Sequence, residues 1–246
     1  MRRVLISIAA ALLLALAAPA RALPVDLELV LAIDVSRSMD DDELELQRQG
    51  YAGAFVHPAI IKAIKAGAHG RIAVTMVEWA GYTFQSVIVP WTVIDGEDAS
   101  ETFAAAILTT EKRSFNWTSI SGAIDFSKRL FGMGHEGTRR VIDVSGDGVN
   151  NHGRPAAQAR DEALALGIII NGLVIMNDRP GPGGWRQIPT QPLDEHYREN
   201  VIGGPGAFLI VAQDFDSFAY AVRNKLIREI SGLDGPRTEY ARAPGE

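Results

Sequence analysis

Asp34, Ser36 and Ser38 alternate with Val35 and Arg37 where an apolar run gives out, in the stretch LVLAIDVSRSMDDDELELQ that begins at Leu29. Side chains two apart on an extended chain leave on the same side, so one carboxylate and two hydroxyls can converge while Val35 and Arg37 point away. Two more polar clusters fall just past an apolar run or just before a helical pattern: Thr118 and Ser119 in NWTSISGAI, and Asp147 in DVSGDGVNN. Every donor in the three clusters is an oxygen. No His-x-x-x-His pair, cysteine cluster or EF-hand loop competes with them, and His57, His69, His135 and His196 are scattered. Carboxylates and hydroxyls without a soft ligand suit a hard divalent cation such as Mg²⁺, and Mn²⁺ or Ca²⁺ can use the same oxygens. Neutral hydroxyls leave such an ion more residual positive charge than a cage of carboxylates would. An open position on it then attracts a carboxylate from outside.

The elements that must carry these groups alternate along the chain. DLELVLAID becomes continuously apolar, as a strand covered on both faces should. A helical pattern over 41–66 is interrupted at Pro58. RIAVTMVEWAGYTFQSVIVPWTVI reads as an antiparallel hairpin turning at Ala80-Gly81. Helices are expected over 98–109, 119–131, 155–166 and 215–230, with a short one after Pro192. Strands are expected over 138–145, 167–176 and 207–212. Repeated strand–helix units imply an α/β fold: a Rossmann-like, doubly wound, mostly parallel sheet with one antiparallel edge strand and helices on both faces. In such a sheet ligands bind beyond the carboxyl ends of the strands, where the three polar clusters lie.

The chain has 246 residues and no cysteine. One core can extend to roughly 250 residues. Residues 1–22 are expected to stand apart as a signal peptide: Arg2 and Arg3, an apolar run from Val4 to Ala18, then the small-x-small motif Ala20-Arg21-Ala22. The run is shorter than the ~20 residues that span a bilayer. The expectation is therefore an exported chain, periplasmic or secreted, with a domain over 23–231 and a loose tail over 232–246 rich in Gly, Pro and polar residues. Without Arg2, Arg3 and Arg21, 21 basic side chains face 30 acidic ones, a formal charge of −9. That balance argues against nucleic acid or anionic lipid as the partner.

DVSRS resembles the Asp-x-Ser-x-Ser of the von Willebrand factor type A (VWA) domain, which carries a metal-ion-dependent adhesion site (MIDAS). WTSISGAI is similar to that family's threonine loop, and VIDVSGDG to its strand ending in Thr-Asp-Gly. More narrowly, the chain resembles a group of exported bacterial proteins related to this domain. The resemblance implies that Ser36 and Ser38 ligate the metal directly, Thr118 directly or through water, and Asp34 and Asp147 largely through water. It implies a non-enzymatic binding domain whose ion engages an Asp or Glu of a protein partner. Gly146 departs from the pattern, standing where the family has Thr or Ser, and is expected to loosen the loop without removing a ligand.

Other readings of the same residues are open. Ser36 or Ser38 could cap the acidic helix that follows, and Thr118 or Ser119 the next one. Asp40, Asp41, Asp42 and Glu43 read as acids of a first helical turn offsetting its dipole. Asp143 reads as a structural residue inside a strand, and Asn150, Asn151 and His152 as a solvated turn. Trp185 and Arg186, in the long loop after the strand over 167–176, are residue types favoured at binding hot spots. GDGVNN also resembles the metal loop of Mg²⁺-dependent phosphohydrolases of the haloacid dehalogenase type, in which Asp34 would be the nucleophile. That family's Asp-x-Asp needs a second carboxylate where Ser36 stands. Its last loop aspartate is Asn151 here, and its lysine has no obvious counterpart, Lys128 lying late in a helix.

Overall fold

The computed structural model describes residues 22–176, 191–214, 217–233 and 235–241. The leader motif through Arg21, and Trp185 and Arg186, lie outside the described residues. In chain order the elements are β1 (Leu23–Asp34), α1 (Asp41–Phe55), α2 (Pro58–Lys65), β2 (Ile72–Trp79), β3 (Gln85–Ile94), α3 (Glu97–Leu108), α4 (Ile120–Ser127), β4 (His135–Gly146), α5 (Ala156–Ala165), β5 (Ile169–Ile175), α6 (Leu193–Asn200), β6 (Leu209–Ala212), α7 (Phe218–Ser231) and β7 (Thr238–Ala241). They build one sheet in the order β3-β2-β1-β4-β5-β6-β7. β3 runs antiparallel to β2, and every other neighbouring pair is parallel.

The order has a functional consequence. From β1 the chain winds outward to β2 and β3, then returns to the other side of β1 as β4 and winds the opposite way. The crevice beyond the carboxyl ends of β1 and β4 is thus the switch point where such sheets take ligands. Ile33 of β1 registers with Ser145 of β4, which places Asp34 and Gly146 side by side at that rim, with Asp147 just beyond.

Alternation along β1 explains why it is continuously apolar from Leu29 to Ile33. Leu29, Leu31 and Ile33 enter one core with Leu44, Tyr51 and Phe55 of α1, Phe103 of α3 and Phe218 of α7. Val30 and Ala32 enter the other with Ile120 and Ile124 of α4, Ala159 of α5 and Tyr197 of α6. Pro58 separates α1 from α2 as expected and occupies the first turn of the second helix. The helix expected over 119–131 ends at Ser127, because Arg129 and Leu130 bond back to Phe126 and Ser127 at 3.2 and 3.0 Å, tightening the last turn.

Part of the segment read as a loose tail is ordered. Thr238–Ala241 pairs parallel with β6 as the second edge strand. Gly232, Gly235 and Pro236 mask it in the sequence, and the strand itself is too short to show a period. Tertiary contacts hold it: Arg228 donates to the Pro236 carbonyl at 2.7 Å, and the Tyr240 hydroxyl donates to Asp194 at 2.7 Å.

α1 begins with a capping box. Asp40 Oδ1 accepts from the Glu43 amide at 2.8 Å, and Glu43 Oε2 accepts from the Asp40 amide at 2.8 Å. The acids of the first turn are therefore Asp41, Asp42 and Glu43, while Asp40 is the cap. Ser36 and Ser38 are left to other work. Replacing Asp40 with alanine is expected to cost about 1 kcal/mol in a denaturant titration, with no effect on ion uptake.

Candidate metal centre

Three loops meet above the switch point, and backbone hydrogen bonds tie them together. Val35 still donates to the Trp79 carbonyl at 2.9 Å, extending β1 beside β2 by one step. Met39 then donates to the Ser36 carbonyl at 3.0 Å, turning the chain back toward α1. Phe115 donates to the Val35 carbonyl at 3.1 Å, so the loop before α4 lies along the first one. Thr118 is gripped from the third loop: its amide donates to Asn151 Oδ1 at 2.8 Å, and its carbonyl accepts from the Asn151 and His152 amides at 2.9 and 3.1 Å.

These ties bring all five candidate side chains into one chain of contacts. Asp34 Oδ1 accepts from the Ser36 amide at 2.7 Å. The Ser36 and Ser38 hydroxyls are 3.0 Å apart, and Ser38 donates to Asp147 Oδ1 at 2.6 Å. Thr118 Oγ1 donates to Ser36 Oγ at 3.4 Å. Asp34, Ser36 and Thr118 are buried, Ser38 is exposed and Asp147 half-buried, so the cluster opens on one side only.

The electrostatics are unbalanced. Asp34 is fully buried, and its Oδ2 has no hydrogen-bond partner among the described residues. Burial pushes its carboxyl well above the usual carboxylate range, and the charge of Asp147 pushes it further, against the hydrogen bonds from Ser36. Tyr197 of α6 is equally buried, and its hydroxyl also has no partner among the described residues. Burial, then the charges of Asp34, Asp147 and Asp143, hold its phenol well above its ordinary range, so it keeps its proton. Among the described residues no group of three or more His, Cys, Asp or Glu is placed to hold a metal. A set of two carboxylates and three hydroxyls, with one buried carboxylate oxygen unsatisfied, fits a hard divalent cation.

The neighbouring readings sort themselves by geometry. Ser119 caps α4, accepting from the Gly122 amide at 3.1 Å, which leaves the Thr118 hydroxyl to the cluster. Asp143 is buried inside β4 and pairs with Lys225 at 2.7 Å. Asn150, Asn151 and His152 are not merely a solvated turn. Asn150 Oδ1 accepts from the Ser121 amide at 3.0 Å, and His152 Nδ1 from the Tyr82 amide at 3.1 Å, so with Asn151 they latch three loops. Gly146 is not a point of looseness either: a Cβ there would lie 2.8 Å from Asp34 Oδ2 and 2.9 Å from the Tyr197 hydroxyl. The contacts of Tyr197 and Asn151 cross between distant segments and leave no local pattern to read. Trp117, next to Thr118, is an exposed indole with left-handed backbone at φ 70°.

A family model described as a protein of unknown function (DUF1194) matches residues 24–234. No curated protein matches the chain. Among solved structures, proximal thread matrix protein 1 from the mussel byssus is similar at a TM-score of 0.62 and 11% identity, over 85% of this chain and 49% of that one. A second structure of that protein, with a zinc-occupied MIDAS motif, is similar at 0.59 and 13%, over 85% and 49%. A von Willebrand factor type A structure from Catenulispora acidiphila is similar at 0.58 and 14%, over 84% and 43%. BatB from Bacteroides thetaiotaomicron is similar at 0.52 and 18%, over 84% of this chain and 100% of that one. The chain spans about half the length of the mussel protein and less than half of the Catenulispora one. The fold is that of a VWA domain, as the three motifs led one to expect.

Proposed function

From residue 24 to residue 234 the chain belongs to the family described as a protein of unknown function, DUF1194, and from that premise we propose that it is an exported, non-enzymatic binding domain that grips a protein partner through a divalent cation. Ser36, Ser38 and Thr118 would hold the ion with their hydroxyls, and Asp34 and Asp147 would balance its charge. Mg²⁺ is the first choice of ion, with Mn²⁺ or Ca²⁺ able to use the same oxygens. When bound, the ion supplies an under-neutralised positive charge at the open side of the cluster, to which an Asp or Glu of the partner attaches.

One observation carries the reading. A fully buried carboxylate oxygen without a donor, beside a second carboxylate, is a deficit of positive charge that three converging hydroxyls cannot cancel. The likeness to a structure with a zinc-occupied MIDAS motif supports a divalent ion in such a fold. The export leader and the acidic surface support a protein partner over nucleic acid or anionic lipid. Among the described residues no helix is long and apolar enough to cross a membrane.

The phosphohydrolase reading finds less support. Ser36 stands where the general acid is needed, Asn151 Oδ1 is taken by the Thr118 amide, and Lys128 is held by Asp125 and Glu162 at 2.8 and 2.7 Å. The purified chain with Mg²⁺ is expected to release no phosphate from a generic phosphate ester.

The test of the binding role is capture from envelope extract on immobilised chain, with Mg²⁺ or with a chelator. A partner that elutes with chelator, and is not captured by Asp34→Ala, fits the proposal. A partner retained without divalent ions contradicts it.

A further inference from the structure

Two unsatisfied polar atoms look onto one small space. Asp34 Oδ2 and the Tyr197 hydroxyl are both fully buried, both lack a hydrogen-bond partner among the described residues, and lie 2.8 and 2.9 Å from where Gly146 would carry a Cβ. A buried hydroxyl without a partner is destabilising unless something uses it.

The path of the tyrosine is cleared by glycine twice. A Cβ on Gly172 of β5 would come 3.1 Å from Cδ1 of the Tyr197 ring, and Gly146 of β4 leaves the hydroxyl its space. Both glycines belong to the same face of the sheet: Gly146 continues the series Ile142, Val144, and Gly172 lies between Ile170 and Val174, all in the core beneath α6. The end of α6 is closed locally, the Tyr197 carbonyl accepting from the Val201 and Ile202 amides at 3.0 and 2.9 Å. The phenol hydroxyl and the carboxylate oxygen left without a donor thus border the same space, with no direct hydrogen bond between them.

We propose that Tyr197 is a positioning residue of the metal centre: from α6 its hydroxyl holds Asp34 Oδ2 through one buried water in the space that Gly146 leaves. This deepens the metal reading and rests on it. A side chain at 146 would crowd both groups, its Cβ lying 2.8 Å from Asp34 Oδ2 and 2.9 Å from the Tyr197 hydroxyl, so only glycine leaves the space between them open.

The experiment compares wild type, Tyr197→Phe, Gly146→Ser and the double variant, reading Mn²⁺ affinity by calorimetry and metal-free melting by circular dichroism. Tyr197→Phe keeps the ring and is expected to weaken Mn²⁺ binding about ten-fold or more, with metal-free melting unchanged or higher. A purely structural tyrosine would show the reverse pattern. Gly146→Ser alone is expected to melt lower. The double variant is expected to melt above Gly146→Ser, since one of the two close approaches is relieved. Tyr197→Phe that binds Mn²⁺ as wild type does overturns the role of Tyr197 alone. Folded wild type that takes up no Mn²⁺ overturns the metal reading, and this one with it.

Discussion

Asp34→Asn is expected to make the metal-free protein more stable and the metal-supplemented protein less so. In the absence of an ion, Asp34 is a buried carboxylate with one oxygen unsatisfied and Asp147 repelling it. Asparagine keeps an acceptor for the Ser36 amide and removes the charge. Neutralising Asp34 removes a buried charge whose second oxygen is unsatisfied, and is expected to gain on the order of 1–3 kcal/mol. In a chain of this size that is a rise of roughly 2–4 °C per kcal/mol in melting temperature. With Mn²⁺ at 100-fold its dissociation constant the wild type gains about 2.7 kcal/mol from binding, and the variant gains nothing. The two melting curves should therefore converge or cross when Mn²⁺ is added. An Asp34→Asn protein that melts lower in chelator, yet still responds to Mn²⁺, would contradict both halves of the argument.

Lys225→Met is expected to be the most damaging single change away from the metal centre. The Lys225 ammonium is buried between Asp143 of β4, at 2.7 Å, and Glu229 one turn along α7. Asn171 of β5 completes the group, donating to Glu229 at 3.0 Å and accepting from the Phe208 amide at 3.1 Å. One ammonium thus serves two buried acids, and removing it leaves Glu229 without its ion-pair partner and Asp143 without its donor, at a cost of about 3–5 kcal/mol. The expected result is a melting temperature lower by roughly 10 °C or more, with most of the loss recovered by adding Asp143→Asn and Glu229→Gln. A Lys225→Met protein that melts as wild type does would show the ion cluster to be dispensable.

The same cluster predicts a pH response. Burial pushes the Asp143 carboxyl up to about 7; Lys225 pulls it down and Glu229 pushes it up again. The folded chain therefore keeps a proton that the unfolded chain loses near the ordinary value of 3.8. The stability this group contributes is complete below that value and declines as pH rises toward about 7. Asp143→Asn should flatten that decline in urea titrations across the window.

What the sequence disclosed, and what it hid, follows from the range of the interactions involved. β1 and β5 are legible because a strand covered on both faces is nearly continuously apolar where it crosses the core. The hairpin of β2 and β3 is legible because Ala80-Gly81 permits a tight turn. The three polar clusters are legible because each falls where an element ends, and the sheet order then carries them to one rim. β7 is hidden, since four residues after Gly235-Pro236 show no period and are held by Arg228 of the preceding helix and by Asp194 of α6. Asn151 is hidden because its work is done on the backbone of Thr118. Gly146 is visible as a departure from the pattern, but the space it leaves is bounded by Asp34 and by Tyr197, 51 positions later, which no local pattern discloses.

The central claim is that hydroxyls and carboxylates from three loops hold a divalent cation at the switch point of the sheet. Calorimetric titration of the purified chain with Mn²⁺, in competition with Mg²⁺, tests it most directly. The account predicts uptake that saturates at a single ion per chain and disappears when Ser36, Ser38 and Thr118 are all replaced by alanine. A folded chain that takes up neither Mn²⁺ nor Mg²⁺, or one whose uptake survives loss of the three hydroxyls, would contradict it.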